Sequence, residues 1–464
     1  PEILKGGRVT AAGGAYRVRW PGKRQRAGMT AVKSTLEDIF RAALAASDPY
    51  RAVEKYVGTI RREYRDGGFR RLVVVGLGKA AFSMSRALHD CLGLRIDGGI
   101  VVTKYGHADP AVPLGAIEVY EGGHPLPDEN GFRATRKVID LRGTFDERTL
   151  AVCLVSGGGS TIFVAPAGGI LLAEKQKLTN LLLRCGAPIE ELNTVRKHIS
   201  RVKGGRLAEI LYPARVISLV LSDVVGDPLD IIASGVTSPD GSTYADAMAI
   251  LEKHRLLPEV PPSILDHLDR GVRGLVPETP KPGDRVFARV DNRIIGSNRL
   301  ALDAARSRAA ALGFQAEIIA RDVVGEAADY GRKLAAVARE AKARAGREGR
   351  KLCLISGGEP TVTVRGNGVG GRNTELALAF AIAAEGIEDI GLLAAGTDGT
   401  DGPTDAAGAV ADGSTVVRGR AMGLTADASL ANNDSYTFFK SLGDLVITGP
   451  TGTNVIDVHL LAVQ

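Results

Sequence analysis

Residues 71–81 read RLVVVGLGKAA: a uniformly apolar, β-branched run that ends in Gly76-Leu77-Gly78-Lys79 and passes into a helical stretch. A strand apolar at every position is covered on both faces, which is the habit of parallel sheets flanked by helices. Similar units recur on both sides in the chain. GIVVTK (99–104), AIEVYEG (116–122), LAVCLVSG (150–157) and RVISLVLSD (215–223) alternate with helices from Lys79 and near 128–141. This alternation predicts an α/β fold with a Rossmann-like, doubly wound N-terminal domain.

Between 256 and 285 stand Pro258, Pro261, Pro262, Pro277, Pro280 and Pro282, a density that suits a connector. Alternation resumes with RIIGSN (293–298), a helix from Ser297, AEII (316–319), a long helix near 326–345, KLCLISG (351–357), a helix from Arg372 and IGLLAAG (390–396). The expected boundary is near 284, giving a Rossmann-like domain over 29–283 and a smaller α/β domain over 284–464, with the last strand free to cross back. One likeness recurs: CLVSGGGST (153–161) and CLISGGEPT (353–361) are both apolar strands ending in Ser-Gly-Gly. Ligands of open α/β sheets bind at the strands' carboxyl ends, so both loops are expected to face one interdomain cleft that holds the active site.

The chain's 464 residues are too many for one ordinary core, which suggests two domains. Its net charge of +6 comes entirely from residues 1–28, where seven Lys and Arg stand against Glu2 alone. A neutral body with one basic tail lacks the footprint of a nucleic-acid-binding domain, so no nucleic-acid partner is expected. No apolar run is long enough to cross a bilayer, so no membrane partner is expected either. Cys91, Cys153, Cys185 and Cys353 are scattered, as reduced thiols of a cytoplasmic protein are. Residues 1–28 read as a disordered extension or as lying upstream of a natural start at Met29, where an amphipathic helix opens with Thr30 or Ser34 as its cap.

The Gly76–Ala81 turn fits a dinucleotide fingerprint, but the next strand ends in Thr103-Lys104 where a ribose-binding acid would stand. A Lys at a helix N-terminus suits a phosphate or carboxylate better. Ser156-Gly157-Gly158-Gly159-Ser160 exposes successive N–H groups as an anion nest; no Gly-Lys-Ser/Thr follows, so it is not a P-loop. In LNTVRKHISRVKGGRLA (192–208), helical spacing puts Asn193 and Arg196 on one face and Lys197 and Arg201 on another, with Lys203 close by.

LSDVVGDPLD (221–230) places Asp223 and Asp227 at a strand's carboxyl end, where a general base or a magnesium ligand would be put. Asp223 is the better base. In GNGVGGRNTELALAFA (366–381), Arg372 and Asn373 open a helix after a glycine-rich loop, and Arg can clamp a phosphoryl group or carboxylate with paired hydrogen bonds. GTDGTDGPTDAAG (396–408) crowds Asp398, Asp401 and Asp405, which repel one another unless a cation or an Arg joins them. Metal coordination and ribose contacts are both open for these three. Anion cradles, basic clamps and carboxylates together fit phosphoryl transfer.

The ordered blocks VVGLGKAA, VSGGGST, LNTVRKHISRVKGGRLA, SDVVGDPLDIIASG, ISGGEPTVTV, GVGGRNTELAL and AAGTDGTDGPTDAAGA closely resemble the class II glycerate kinases, with their kinase region followed by a MOFRL domain. The resemblance covers essentially everything from Met29 onward. It implies ATP-dependent phosphorylation of the 2-hydroxyl of D-glycerate with Mg2+ or another divalent cation. Lys79 and Arg372 match the family's proposed active-site Lys and Arg.

On this reading Lys79, Arg372 and Asp223 are catalytic. Ser156, Gly157, Gly158, Gly159, Ser160, Asn193 and Arg196 receive glycerate. Gly78, Glu359, Asn373 and Asp398 contact the nucleotide, and Asp227, Asp401 and Asp405 hold the metal. The enzyme is expected to act in the cytoplasm as a monomer or homodimer. From the residues alone, ADP or pyrophosphate remain alternatives to ATP as donor. The rival functions are a hydroxypyruvate reductase using NAD(P)H and a non-enzymatic sugar-acid-binding regulator.

Overall fold

A computed structural model describes residues 30–464; the basic tail 1–28 and Met29 lie outside the described residues. Strands β1 (Arg71–Leu77), β2 (Gly98–Lys104), β3 (Ile117–Gly122), β4 (Thr149–Val155), β5 (Arg215–Leu221) and β6 (Val290–Gly296) form a parallel sheet in the order β3-β2-β1-β4-β5-β6. Successive side chains of a strand point to opposite faces. Val73, Val75, Val155 and Val216 accordingly enter one core, and Leu72, Val74, Leu154 and Leu219 the other. Each such fully buried side chain contributes about 1.5–3 kcal/mol, which is why both faces stay apolar. The strand order reverses between β1 and β4, where a doubly wound sheet opens its ligand crevice.

The second sheet is mixed. Strands β7 (Gln315–Val323), β8 (Leu352–Gly358), β9 (Ile390–Gly396), β10 (Gly408–Ala411), β11 (Leu445–Val446) and β12 (Asp457–Val463) run in the order β11-β10-β9-β12-β8-β7. The last strand does not cross back: β12 lies antiparallel between β8 and β9 at the centre of this sheet.

Three expectations need correction. The RIIG segment expected in the second domain is β6, parallel to β5 in the first sheet, so the crossing falls after Gly296 and not near 284. The helix Thr30–Ala46 belongs with the second sheet, because Leu36, Ile39 and Phe40 pack there with Leu393 and Val458. It begins at Thr30, so Ser34 lies inside it. The proline-rich stretch is not a bare connector either. Pro262 starts the helix Pro262–Val272, where its missing N–H costs nothing, and Ile264 and Leu268 join a helical subcore with Leu178, Val195 and Tyr244.

All four cysteines are free, and burial pushes the Cys153 and Cys353 thiols up to about 12. Among the described residues no helix is long and apolar enough to cross a membrane.

Candidate active site between the two sheets

β1 and β4 pair in register through Leu77 and Val155, so the turns that follow them emerge side by side. Gly78 has φ +107°, and a Cβ there would lie 2.3 Å from the Ser156 carbonyl oxygen. Only glycine permits that approach. The two turns are stitched together: the Lys79 N–H donates to the Gly157 oxygen at 2.9 Å and the Ala80 N–H to Ser156 Oγ at 3.0 Å. Gly78 and Ser156, expected as ligand contacts, are therefore spent holding the crevice in shape.

The stitching leaves the Lys79 side chain lying along Gly158, where an added Cβ would stand 3.2 Å from Lys79 Cγ and Cε and 3.1 Å from His124 Cδ2. Lys79 makes no ion pair among the described residues. Burial, with Lys79 adding to it, pushes the His124 imidazole down to about 4, so this ring is neutral at physiological pH.

Asp223 follows β5 and lies against Gly157, so closely that a Cβ on Gly157 would come within 2.2 Å of Asp223 Oδ2. Desolvation pushes its carboxyl up to about 6; Lys79 opposes the shift and Glu359 of the second body adds to it. Asp227 sits in a turn, at φ +55°, with its N–H on the Val224 oxygen.

At the other end of the glycine turn, Ser160 Oγ is 2.7 Å from Ser234 Oγ, and Ser234 donates to Asn193 Oδ1 at 2.8 Å. Asn193 is thus a buried support behind the serines. Arg196, half-buried, has no carboxylate partner among the described residues.

Across the cleft, Arg372 opens the helix Arg372–Ala383. Its guanidinium is held by Asp457, with Nε 2.5 Å from Oδ2 and Nη2 3.0 Å from Oδ1, and by Glu359 Oε1 at 2.9 Å from Nη1. Asp457 is fully buried at the start of β12. Burial pushes its carboxyl up to about 6 against the pull of Arg372.

Asp401 is also buried, and it accepts the N–H groups of Asn373 (2.9 Å) and Thr374 (2.8 Å) together with Thr374 Oγ1 (2.8 Å). A carboxylate there satisfies the helix's first free donors and its dipole. Asp401 is committed to that role, and Asn373 is buried beside it, 1% exposed, with its Nδ2 3.4 Å from Asp401 Oδ1. Asp398 Oδ1 accepts the Thr400 N–H at 3.0 Å, and exposed Asp405 accepts the Tyr436 hydroxyl at 2.7 Å. The expected metal set of Asp227, Asp401 and Asp405 is not brought together; among the described residues no three His, Cys, Asp or Glu stand where they could hold a metal ion.

The glycine-rich loop before Arg372 is likewise no anion nest. N–H groups of Arg365, Gly366, Asn367 and Val369 donate to the side chains of Asn432, Asn433 and Asp434. Glycine is needed because the chains pass so closely: a Cβ on Gly366 would stand 2.4 Å from the Asn432 oxygen.

Sequence reasoning missed Asp457 and His124. Asp457 carried a signal: a lone carboxylate in the apolar run NVIDVHLL (454–461) must have a buried partner. His124 carried none, since a histidine before a proline reads as a loop residue.

Two family models match the chain: a domain of unknown function, DUF4147, over residues 35–269, and the MOFRL family over 352–457. A D-glycerate 2-kinase of Thermotoga maritima is 46% identical over 427 residues, covering 92% of this chain and 97% of that protein. A 40% identical relative from Agrobacterium vitis, spanning 93% of this chain and 94% of its own length, bears the provisional name hydroxypyruvate reductase. A crystal structure of glycerate kinase from Thermotoga maritima superimposes with a TM-score of 0.85 at 45% identity, over 94% of this chain and 100% of that one.

Proposed function

The chain belongs to the class II glycerate kinases, and from that premise we propose how its cleft works. The enzyme is a phosphotransferase with an alcohol acceptor: it phosphorylates D-glycerate on the 2-hydroxyl with ATP as co-substrate.

The observation that carries the division of labour is the placement of Asp223 against Gly157 and of Lys79 along Gly158. A base and a cation lying against consecutive residues of one turn can reach the hydroxyl and the incoming phosphoryl group of a single small substrate. Asp223, with its carboxyl near 6, is ionised at neutral pH and basic enough to orient or take the hydroxyl proton. Lys79 and, from the opposite wall, Arg372 neutralise the charge on the transferring group. Arg372 is aimed for this by Asp457 and Glu359. Neutral His124 adds no charge beside Lys79 and bounds the site on that side. A divalent cation carried on the nucleotide's phosphates would need only one or two protein carboxylates beside them, and would there neutralise charge on the transferring group.

A reductase needs a nicotinamide ribose site, and the end of β2 is unsuited to one: Thr103 Oγ1 is spent on the Gly78 oxygen at 3.1 Å and Lys104 follows. The test is to incubate the protein with D-glycerate, ATP and magnesium, and to assay product with enolase alone and with phosphoglycerate mutase added. Signal with enolase alone is the expected result. Signal only with mutase would mean 3-phosphorylation, and silence in both with NADH oxidation on hydroxypyruvate would replace the reading by the reductase.

A further inference from the structure

Three cations behind the glycine turn have no counter-charge among the described residues. Lys175, in the helix Leu172–Arg184, is 4% exposed, and its Nζ has no hydrogen-bond partner among the described residues. Lys203 is fully buried and donates to the Ser160 carbonyl oxygen at 2.7 Å. Arg196 completes the group, and none of the three is in an ion pair among the described residues. Lys197 follows Arg196 on the helix Ile189–His198 and is treated differently. Lys197 is equally buried but pairs with Asp240 at 3.3 Å and Asp230 at 3.6 Å, while His198 is provided with Glu278 at 3.2 Å. The fold pairs its structural cations and leaves these three unpaired.

An unpaired buried ammonium is costly, and the group shows it: burial and the Arg196 charge push the Lys175 ammonium down to about 7, and burial with both neighbours depresses Lys203 well below its usual value. One small oxyanion would relieve all three at once. We infer that Lys175, Arg196 and Lys203 form a recessed pocket, entered beside Ser160, that binds the carboxylate of the substrate. This rests on the proposed glycerate kinase reading and extends it to two lysines that it does not use. Along the one turn, Lys79 lies over Gly158, Asp223 against Gly157, and Lys203 on Ser160. A hydroxyl at Asp223 and a carboxylate beyond Ser160 then belong to the same short molecule, with its phosphoryl acceptor side toward Lys79. A nucleotide phosphate offers the same oxyanion chemistry, so the test must separate the two sources.

The experiment uses the full chain and Lys175→Met. KM for D-glycerate is expected to rise about ten- to hundred-fold, the scale of one charged hydrogen bond, with KM for ATP unchanged. Turnover of the uncharged methyl ester of glycerate should differ little between wild type and variant. The unliganded variant should melt no lower than wild type, because a buried unpaired charge has been removed, and Lys175→Arg should recover part of the glycerate affinity. A rise in KM for ATP instead would assign the pocket to the nucleotide and overturn the inference. An unchanged KM for glycerate in the variant, with wild type active in the enolase assay, would overturn it while leaving the kinase reading intact. If wild type itself makes no phosphoglycerate, the kinase reading fails separately, and calorimetric titration of D-glycerate into wild type and variant still decides the pocket. Should Lys175→Met fail to fold, Arg196→Gln carries the same measurements.

Discussion

Asp457 grips Arg372 with both carboxylate oxygens, at 2.5 Å from Nε and 3.0 Å from Nη2, across 85 residues of sequence. An arginine held this way presents a fixed edge to the cleft, and the carboxylate that holds it is fully buried. Removing a buried partner strands the other charge. Arg372 is 32% exposed and keeps Glu359, so Asp457→Ala should cost about 1–3 kcal/mol of stability, below the cost for a fully buried pair. It should also lower kcat at least ten-fold. Thermal melts and steady-state kinetics check both; unchanged kcat would mean that Asp457 does not aim Arg372 at the reaction.

Among the described residues Lys79 has no ion pair to lose. Lys79→Ala should therefore melt close to wild type while kcat falls about 100- to 1000-fold, the loss typical of one charge-stabilising donor. Near-normal turnover would remove Lys79 from the reaction.

Asp223 must be ionised to act as a base, and its carboxyl is pushed up to about 6. Wild-type kcat/KM should fall about ten-fold per pH unit below about 6, and Asp223→Asn should be slow and flat over that range. The sign for stability is the reverse. A carboxyl raised on folding favours the protonated native state, so its contribution is complete below its ordinary value near 3.8 and is lost as pH rises through about 6. Asp223→Asn should then melt higher than wild type at pH 8 and gain little at pH 4. A variant that keeps the acid limb of the pH profile would assign that limb to another group.

Gly157 has no left-handed φ that would exclude a side chain, so Gly157→Ala is a purely steric probe. The added Cβ would stand 2.2 Å from Asp223 Oδ2 and must displace that carboxylate. Overpacking of this kind costs about 1–3 kcal/mol. The kinetic effect should resemble a weakened Asp223→Asn, with kcat reduced ten-fold or more and the pH limb shifted. Wild-type kcat would mean that the position of Asp223 is not critical.

What could be read along the chain was whatever depends on near neighbours. RLVVVG is a strand and Gly78-Lys79 an anion-ready turn because an unbroken apolar run, β-branching and helix-end electrostatics act within a few residues. Arg372 at a helix start after glycines was legible for the same reason. The residues that misled are those whose partners are remote. Asp401 looked like a metal ligand among three crowded aspartates, yet its oxygens cap the helix that begins at Arg372. Asn193 and Ser156, expected as substrate contacts, also hold Ser234 and the Lys79 turn in place, which nothing in their own segments signals.

The sequence by itself determined the α/β alternation, the first sheet's strands up to β5, the two Ser-Gly-Gly strand ends and the family, because periodic burial and long contiguous motifs are written locally. Only the tertiary structure decided that β6 completes the first sheet, that the helix Thr30–Ala46 packs on the second, and that β12 lies at that sheet's centre. It alone decided which charges are paired and which are left open, because desolvation and counter-charge depend on what the folded chain places within a few ångströms, across any distance in sequence.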